Sequence, residues 1–128
     1  MKINLETDPI WNEIARVVTE IDVDGLAREH LEACQYRIEG YWDGEEFYEV
    51  INLNRSLNVV LDNIGLSRGT NGQGKVCLIK LTFLLVQDDE EFGQMLLILN
   101  PKMVFIDENW YIDVDSPYVV IEPEEIVT

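Results

Sequence analysis

The amino-acid sequence predicts an α+β domain in which two or three N-terminal helices pack on a curved antiparallel sheet of four to five strands. Apolar residues recur at helical spacing through the first half of the chain. From Val76 onward they alternate with the period of two that is typical of a strand. The predicted helices all precede the strands, and this order favours helices packed on one face of a strand meander.

The first predicted helix covers residues 9–21. Asp8 can cap it, and Pro9 suits its first position, where no backbone N–H is required. Five apolar residues fall on one stripe of this helix: Ile10, Ile14, Val17, Val18 and Ile21.

A second helix is predicted directly after the first. Asp22 or Asp24 can cap this helix, its apolar stripe is looser, and Gly40 can end it. Residues 41–44 then read as a turn.

The next segment, residues 45–64, is consistent with two structures. From Val50 onward the apolar residues recur at helical spacing, which favours a third helix that ends at Gly65. Residues 47–52 could instead form a short strand. Residues 65–74 hold four of the eight glycines, which predicts a loop.

The sheet is predicted in the second half of the chain. A long strand at 76–86 is followed by a charged turn at 87–91 and a return strand at 92–99. After a break at 100–102, a tight hairpin is predicted, with strands at 103–106 and 110–114 around a turn at 107–109. A short strand at 118–121 ends the sheet. The long strand has one wholly apolar face and one mixed face that includes Lys80 and Thr82, which leaves room for a homodimer. Residues 1–128 are predicted to form one domain, with residues 122–128 as a solvated tail.

Composition narrows the classes of function. Asp and Glu number 25 against 9 Lys and Arg, and the net charge of -16 would repel nucleic acid and anionic lipid. No apolar run reaches the length of a membrane span, and the N-terminus lacks the apolar region of a secretory signal, so we expect a cytoplasmic protein. Two cysteines and His30 cannot form a tetrahedral zinc site without carboxylates, so no metal or cofactor is expected.

The charge also suggests where a partner binds. From Gln87 to the end, 11 acidic residues face one basic residue, Lys102. A surface of one sign attracts a partner of the opposite sign, and aromatic residues commonly anchor interfaces. Two acidic turns, one of which also carries a tryptophan, are therefore the predicted partner-binding residues: Trp42, Asp43, Glu45, Glu46, Asp88, Asp89, Glu90 and Glu91.

A strand, an acidic turn, a return strand and a tryptophan strand succeed one another at residues 75–86, 87–91, 92–99 and 109–114. This succession resembles the nuclear-transport-factor-2-like fold, also called cystatin-like. The resemblance implies a cone-shaped sheet. The insertion at residues 100–103 departs from that pattern. The fold hosts enzymes, small-molecule binders and protein binders, so it does not fix the function.

Enzymes that resemble this fold use a carboxylate base inside the cone, often with a tyrosine or histidine. The matching candidates here are Asp113, Tyr111, Tyr36 and His30. Alternation places Asp113 and Tyr111 opposite the apolar residues of their strand, which indicates that they face solvent. We therefore expect no catalytic residue.

The resulting hypothesis is an acidic, non-enzymatic protein that neutralises a basic partner. In its most concrete form it resembles an immunity protein of a bacterial polymorphic-toxin or contact-dependent-inhibition system, which blocks a toxin such as a nuclease. One alternative is a small-molecule-binding or isomerase-like cone protein, which a deep pocket holding Asp113 or His30 would favour. Another is a phage-type mimic of nucleic acid.

Overall fold

The computed structural model describes residues 22–71 and 74–122, and within residues 68–77 it describes the backbone alone. The described residues form helix α1 (Val23–Ala33) and seven strands. The strands are β1 (Arg37–Asp43), β2 (Glu46–Leu53), β3 (Asn58–Asn71), β4 (Gly74–Gln87), β5 (Glu90–Leu99), β6 (Phe105–Ile112) and β7 (Val119–Ile121).

The strands divide into two sheets, and every pairing is antiparallel. The small sheet has the order β1-β2-β7, and the large sheet has the order β3-β4-β5-β6. Phe83, at the centre of β4, faces Leu61 on one side and Met95 on the other. Both β4 and β5 are thus interior strands, and β6 is an edge of the large sheet within the described residues.

One apolar core joins the two sheets and the helix. Alternate residues of β4 and β5 point into it, as the period of two predicts. Helix α1 and the small sheet cover this inner face with their own buried residues. The fully or almost fully buried side chains include Ala27, Leu31, Ile38, Ile51, Leu53, Ile79, Leu81, Phe83, Leu85, Phe92, Met95, Leu97 and Leu99.

Helix α1 begins as predicted but ends earlier. The Asp22 carboxylate accepts a hydrogen bond from the Gly25 amide at 3.0 Å, which confirms Asp22 as the cap. The helix ends at Ala33, because Gln35 and Tyr36 adopt left-handed conformations with φ of 59° and 55°. Gly40, the predicted stop, lies instead within β1.

The predicted third helix and the predicted glycine loop are both wrong. Residues 46–53 and 58–71 form β2 and β3, and the alternative of a strand at 47–52 is confirmed. The apolar residues have helical spacing by coincidence, because some of them are buried from β2 and the others from β3. The glycine-rich stretch remains extended because β4 supplies a hydrogen-bonded partner along its length, from Gly65 opposite Lys80 to Asn71 opposite Gly74.

The predicted hairpin around residues 107–109 is also wrong. Those residues lie in the middle of one continuous strand, β6, with Asp107 opposite Ile98 and Asn109 opposite Leu96. Polar residues that resemble a turn are common on an edge strand, where one face and one edge meet water. The turn at Asp88 and Asp89, the return strand β5 and the short strand β7 are confirmed, and β7 pairs with β2.

The α+β prediction therefore holds only in its broad form. The described residues contain one helix and seven strands in two sheets, not a single cone-shaped sheet of four to five strands beneath two or three helices. The helix predicted at residues 9–21 lies outside the described residues. No helix within residues 22–71 and 74–122 is long and apolar enough to span a membrane.

Gly93 offers a test of the β5–β6 packing. A Cβ at this position would lie 2.7 Å from the Tyr111 carbonyl oxygen and 2.9 Å from Ile112 Cδ1. We expect Gly93→Ala to lower the free energy of unfolding by about 2–3 kcal/mol, because a backbone atom cannot move aside cheaply. Urea denaturation measures this change.

Gly65→Ala is the matched control, since its Cβ would meet nothing closer than Lys80 Cβ at 3.9 Å. Its unfolding free energy should stay within about 0.5 kcal/mol of the wild type. Equal losses in the two variants would contradict the close approach at Gly93.

Candidate functional site

The β1–β2 hairpin ends in an exposed pair of aromatic rings. Trp42 and Phe47 are cross-strand partners, and their ring centroids lie 4.9 Å apart. Their side chains are 62% and 44% exposed. The turn between the strands uses Gly44 at a φ of +61°, a conformation that favours glycine. We call Trp42 and Phe47 the aromatic tip.

Carboxylates surround the aromatic tip. Asp43, Glu45 and Glu46 are all exposed at the turn. The Tyr48 hydroxyl donates a hydrogen bond of 2.6 Å to Glu46, and this bond raises the pKa of Tyr48 to about 12, with smaller contributions from Asp43 and Asp115. Asp115, in the loop after β6, therefore acts on the same patch of surface.

The second acidic turn, between β4 and β5, meets the other end of that loop. Tyr118 packs on Phe92 with ring centroids 6.1 Å apart. Burial raises the pKa of Tyr118, and the charges of Glu90 and Asp88 raise it further. The loop at residues 113–118 thus comes near both turns, with Asp115 on the side of Tyr48 and Tyr118 on the side of Asp88 and Glu90.

We call the two acidic turns together with Asp115 the acidic rim. All of its carboxylates are exposed: Asp43, Glu45, Glu46, Asp88, Asp89, Glu90, Glu91 and Asp115. Among the side chains that the structure describes, the ion pairs are His30–Glu108, Arg37–Glu122 and Arg55–Glu32, and none includes a rim carboxylate. The rim charges are therefore not neutralised within this part of the chain.

Tyr41 anchors the hairpin to the large sheet. Its hydroxyl accepts a hydrogen bond from the Ile112 amide at 2.9 Å and donates one to the Ile112 carbonyl at 3.3 Å. The next residue, Asp113, donates from its amide to the Phe92 carbonyl at 2.9 Å. The small sheet is thereby attached to the end of β6, and the loop that follows β6 is attached to β5.

The four residues that the family resemblance suggested do not meet in one site. Asp113 and Tyr111 are exposed, as alternation predicts. Tyr36 is buried, and its hydroxyl lies 3.3 Å from the Arg28 guanidinium, which donates to it. His30 lies on α1, where it pairs with Glu108 of β6.

Glu108 was missed by sequence reasoning because residues 107–109 were predicted to form a turn. The spacing of two between Glu108, Trp110 and Ile112 could have predicted its position, because residues at this spacing share one face of a strand. In β6 that face is the inner one. Beside the His30–Glu108 pair lies a hollow of about 280 Å³ between α1 and the large sheet. We call it the helix hollow.

Among the side chains that the structure describes, no group of three or more could hold a metal ion. No protein family, curated protein or solved structure matches the chain. The candidate function therefore depends on the rim and the hollow themselves.

The Tyr48–Glu46 hydrogen bond can be checked by titration. A raised pKa means that the bond stabilises the fold below about pH 10, the ordinary tyrosine value, and that this contribution is lost as the pH rises through about 12. Glu46→Ala, which removes the acceptor, should move the pKa of Tyr48 back toward 10, measured by ring carbon NMR shifts. Glu39→Gln, on the neighbouring strand, should leave the pKa near 12, and a drop in both variants would point to net charge rather than to the bond.

Proposed function

We propose that this protein is a non-enzymatic binding protein whose acidic rim covers the basic surface of a partner protein and so neutralises it. The observation that carries the proposal is the combination of eight exposed carboxylates, at two turns and in the loop near both, with an exposed aromatic pair at one of these turns. None of the eight has an ion-pair partner among the described side chains.

Electrostatics accounts for the first step of binding. The net charge of -16 creates a field that draws in a basic partner, and the rim concentrates exposed carboxylates at one surface. Such a field acts over about 8 Å at physiological ionic strength. It therefore raises the association rate more than it stabilises the final complex.

The aromatic tip accounts for the second step. When a partner covers a solvent-exposed tryptophan, a large apolar surface is removed from water. Buried aromatic residues commonly contribute most of the binding free energy of an interface. Trp42 is held by its cross-strand contact with Phe47, so little conformational freedom is lost on binding. Carboxylates around the tip can pair with arginine or lysine at the interface margin.

The most concrete form of the proposal is an immunity protein of a bacterial toxin system that acts in the cytoplasm. A nuclease binds its substrate through basic residues, and an acidic surface can occupy the same groove. A phage-type mimic of nucleic acid would use the same surface. The neighbouring gene distinguishes the two, since a toxin gene supports immunity and a phage operon supports mimicry.

The rim can be tested with paired charge reversals. The wild-type protein is first used as bait at low salt in lysate of the source cells, and the bound basic protein is identified by mass spectrometry. Glu45→Lys combined with Glu90→Lys should slow association with that partner about tenfold at low salt, because it reverses two rim charges. Stopped-flow kinetics at several salt concentrations measures the effect.

Asp62→Lys combined with Asp107→Lys changes the net charge equally at exposed positions outside the rim. This control should slow association less than the rim variant does. Equal slowing would show that net charge, not the rim, attracts the partner. Association by the rim variant at the wild-type rate would contradict the proposal, as would a bait that binds no basic protein.

A further inference from the structure

The outer face of the large sheet carries almost no charge. The strand register places three consecutive rows of residues on it, and each row runs from β3 through β4 and β5 to β6. One lysine and one aspartate are the only charged residues in these rows, although the chain holds 25 Asp and Glu among its 128 residues. The rows are Val60, Leu84, Gln94 and Tyr111; Asn63, Thr82, Leu96 and Asn109; and Gly65, Lys80, Ile98 and Asp107.

Apolar side chains on this outer face are open to water. Val60, at the β3 edge, is 47% exposed, and Tyr111, at the β6 edge, is 73% exposed. Leu84, Leu96 and Ile98 on the interior strands are only partly buried. The solvent side of an antiparallel sheet is ordinarily polar, and an exposed apolar patch commonly marks an interaction surface.

The outer face is complementary to a second copy of itself. A twofold axis that runs parallel to the strands, between β4 and β5, brings β3 of one copy over β6 of the other. Each row then meets the same row of the partner in reverse order. The ring of the partner's Tyr111 covers Val60, and the amide of the partner's Asn109 meets that of Asn63.

The third row supplies complementary charges. Lys80 and Asp107 of one copy lie two strands apart, at about 10 Å. No ion pair joins them among the described side chains. The twofold axis places the partner's Asp107 over Gly65, the residue opposite Lys80 in the next strand. Lys80 of each copy therefore lies beside Asp107 of the other.

The area of the outer face is sufficient for a specific contact. Four strands about 4.8 Å apart, along the 10 residues of β5 at about 3.4 Å each, present about 600 Å². Two copies that pack through this face bury about 1,200 Å², which is near the lower end of specific interfaces.

We propose that the outer face of the large sheet is the interface of a homodimer, in which the two sheets pack face to face with their strands nearly aligned. A second copy fits this face better than a basic partner does, because its rows hold one basic and one acidic residue. The net charge of -16 on each copy opposes the dimer. Salt screens that repulsion and strengthens the dimer, whereas it weakens the attraction of a basic protein to the acidic rim.

Sedimentation velocity of the purified protein over a wide range of concentrations tests the dimer. The 14.8 kDa chain should sediment at twice its mass at high concentration, and added salt should increase the dimer fraction. A monomer at every concentration overturns the proposal. A dimer that dissociates when salt is added also overturns it, since that response means association through opposite charges alone.

A charge swap tests the contact in the third row. Lys80→Glu places a carboxylate beside the partner's Asp107 and should weaken the dimer about tenfold. Adding Asp107→Lys to this variant restores opposite charges and should recover most of the lost affinity. Lys102→Glu, at an exposed position in a turn, changes the net charge equally and should weaken the dimer less. Equal weakening by Lys80→Glu and Lys102→Glu would overturn the proposed arrangement, as would a swap that recovers nothing.

A second pair of variants tests the apolar contact. Tyr111→Ser removes the ring that covers the partner's Val60 and should weaken the dimer about fivefold. Trp42→Ser removes a similarly exposed ring from the aromatic tip and should leave the dimer unchanged. Circular dichroism confirms that each variant folds. A dimer that survives both Lys80→Glu and Tyr111→Ser unchanged uses another surface and overturns the proposal. None of these outcomes depends on whether the rim binds a protein.

Discussion

The apolar inner face of the large sheet is the surface on which the rest of the structure depends. Helix α1 and the small sheet bury their apolar side chains in the same core, which β4 and β5 dominate. A net charge of -16 makes the compact state repel itself, and this burial must offset that repulsion. No charged residue is buried as a whole in the described part of the chain, although Arg37 Nε is buried without a hydrogen-bond partner.

The same architecture leaves the acidic rim free to act. Tyr41 fixes the hairpin to the end of β6, and the loop after β6 carries Asp115 toward one turn and Tyr118 toward the other. An excess of negative charge raises the free energy of the unbound protein. Binding of the proposed basic partner would relieve that repulsion.

The sequence predicted what depends on local chemistry. The Asp22 cap, the alternation of β4 and β5, and the acidic turn at Asp88 were all readable from neighbouring residues. Local composition also predicts the two acidic turns. The position of the 113–118 loop near both turns, however, depends on contacts between distant strands. No local pattern reports such contacts.

The wrong secondary-structure predictions share one cause: pairing with a distant strand overrides the secondary-structure preference of the local sequence. Gly65 and its glycine-rich neighbours are extended since β4 runs beside them, and Asp107 lies within a strand since β5 does the same. The His30–Glu108 pair joins residues 78 positions apart, and it depends on the packing of α1 over the inner face of β6. No local sequence pattern predicts that packing.

Hydrogen–deuterium exchange of the protein, alone and in complex with its captured basic partner, tests the central claim most directly. Backbone amides that a partner covers exchange more slowly in the complex. The account predicts new protection at the aromatic tip, at the turn of residues 88–91 and in the loop of residues 113–118. Protection confined to the outer face of the large sheet or to the helix hollow, with the rim unchanged, would contradict it.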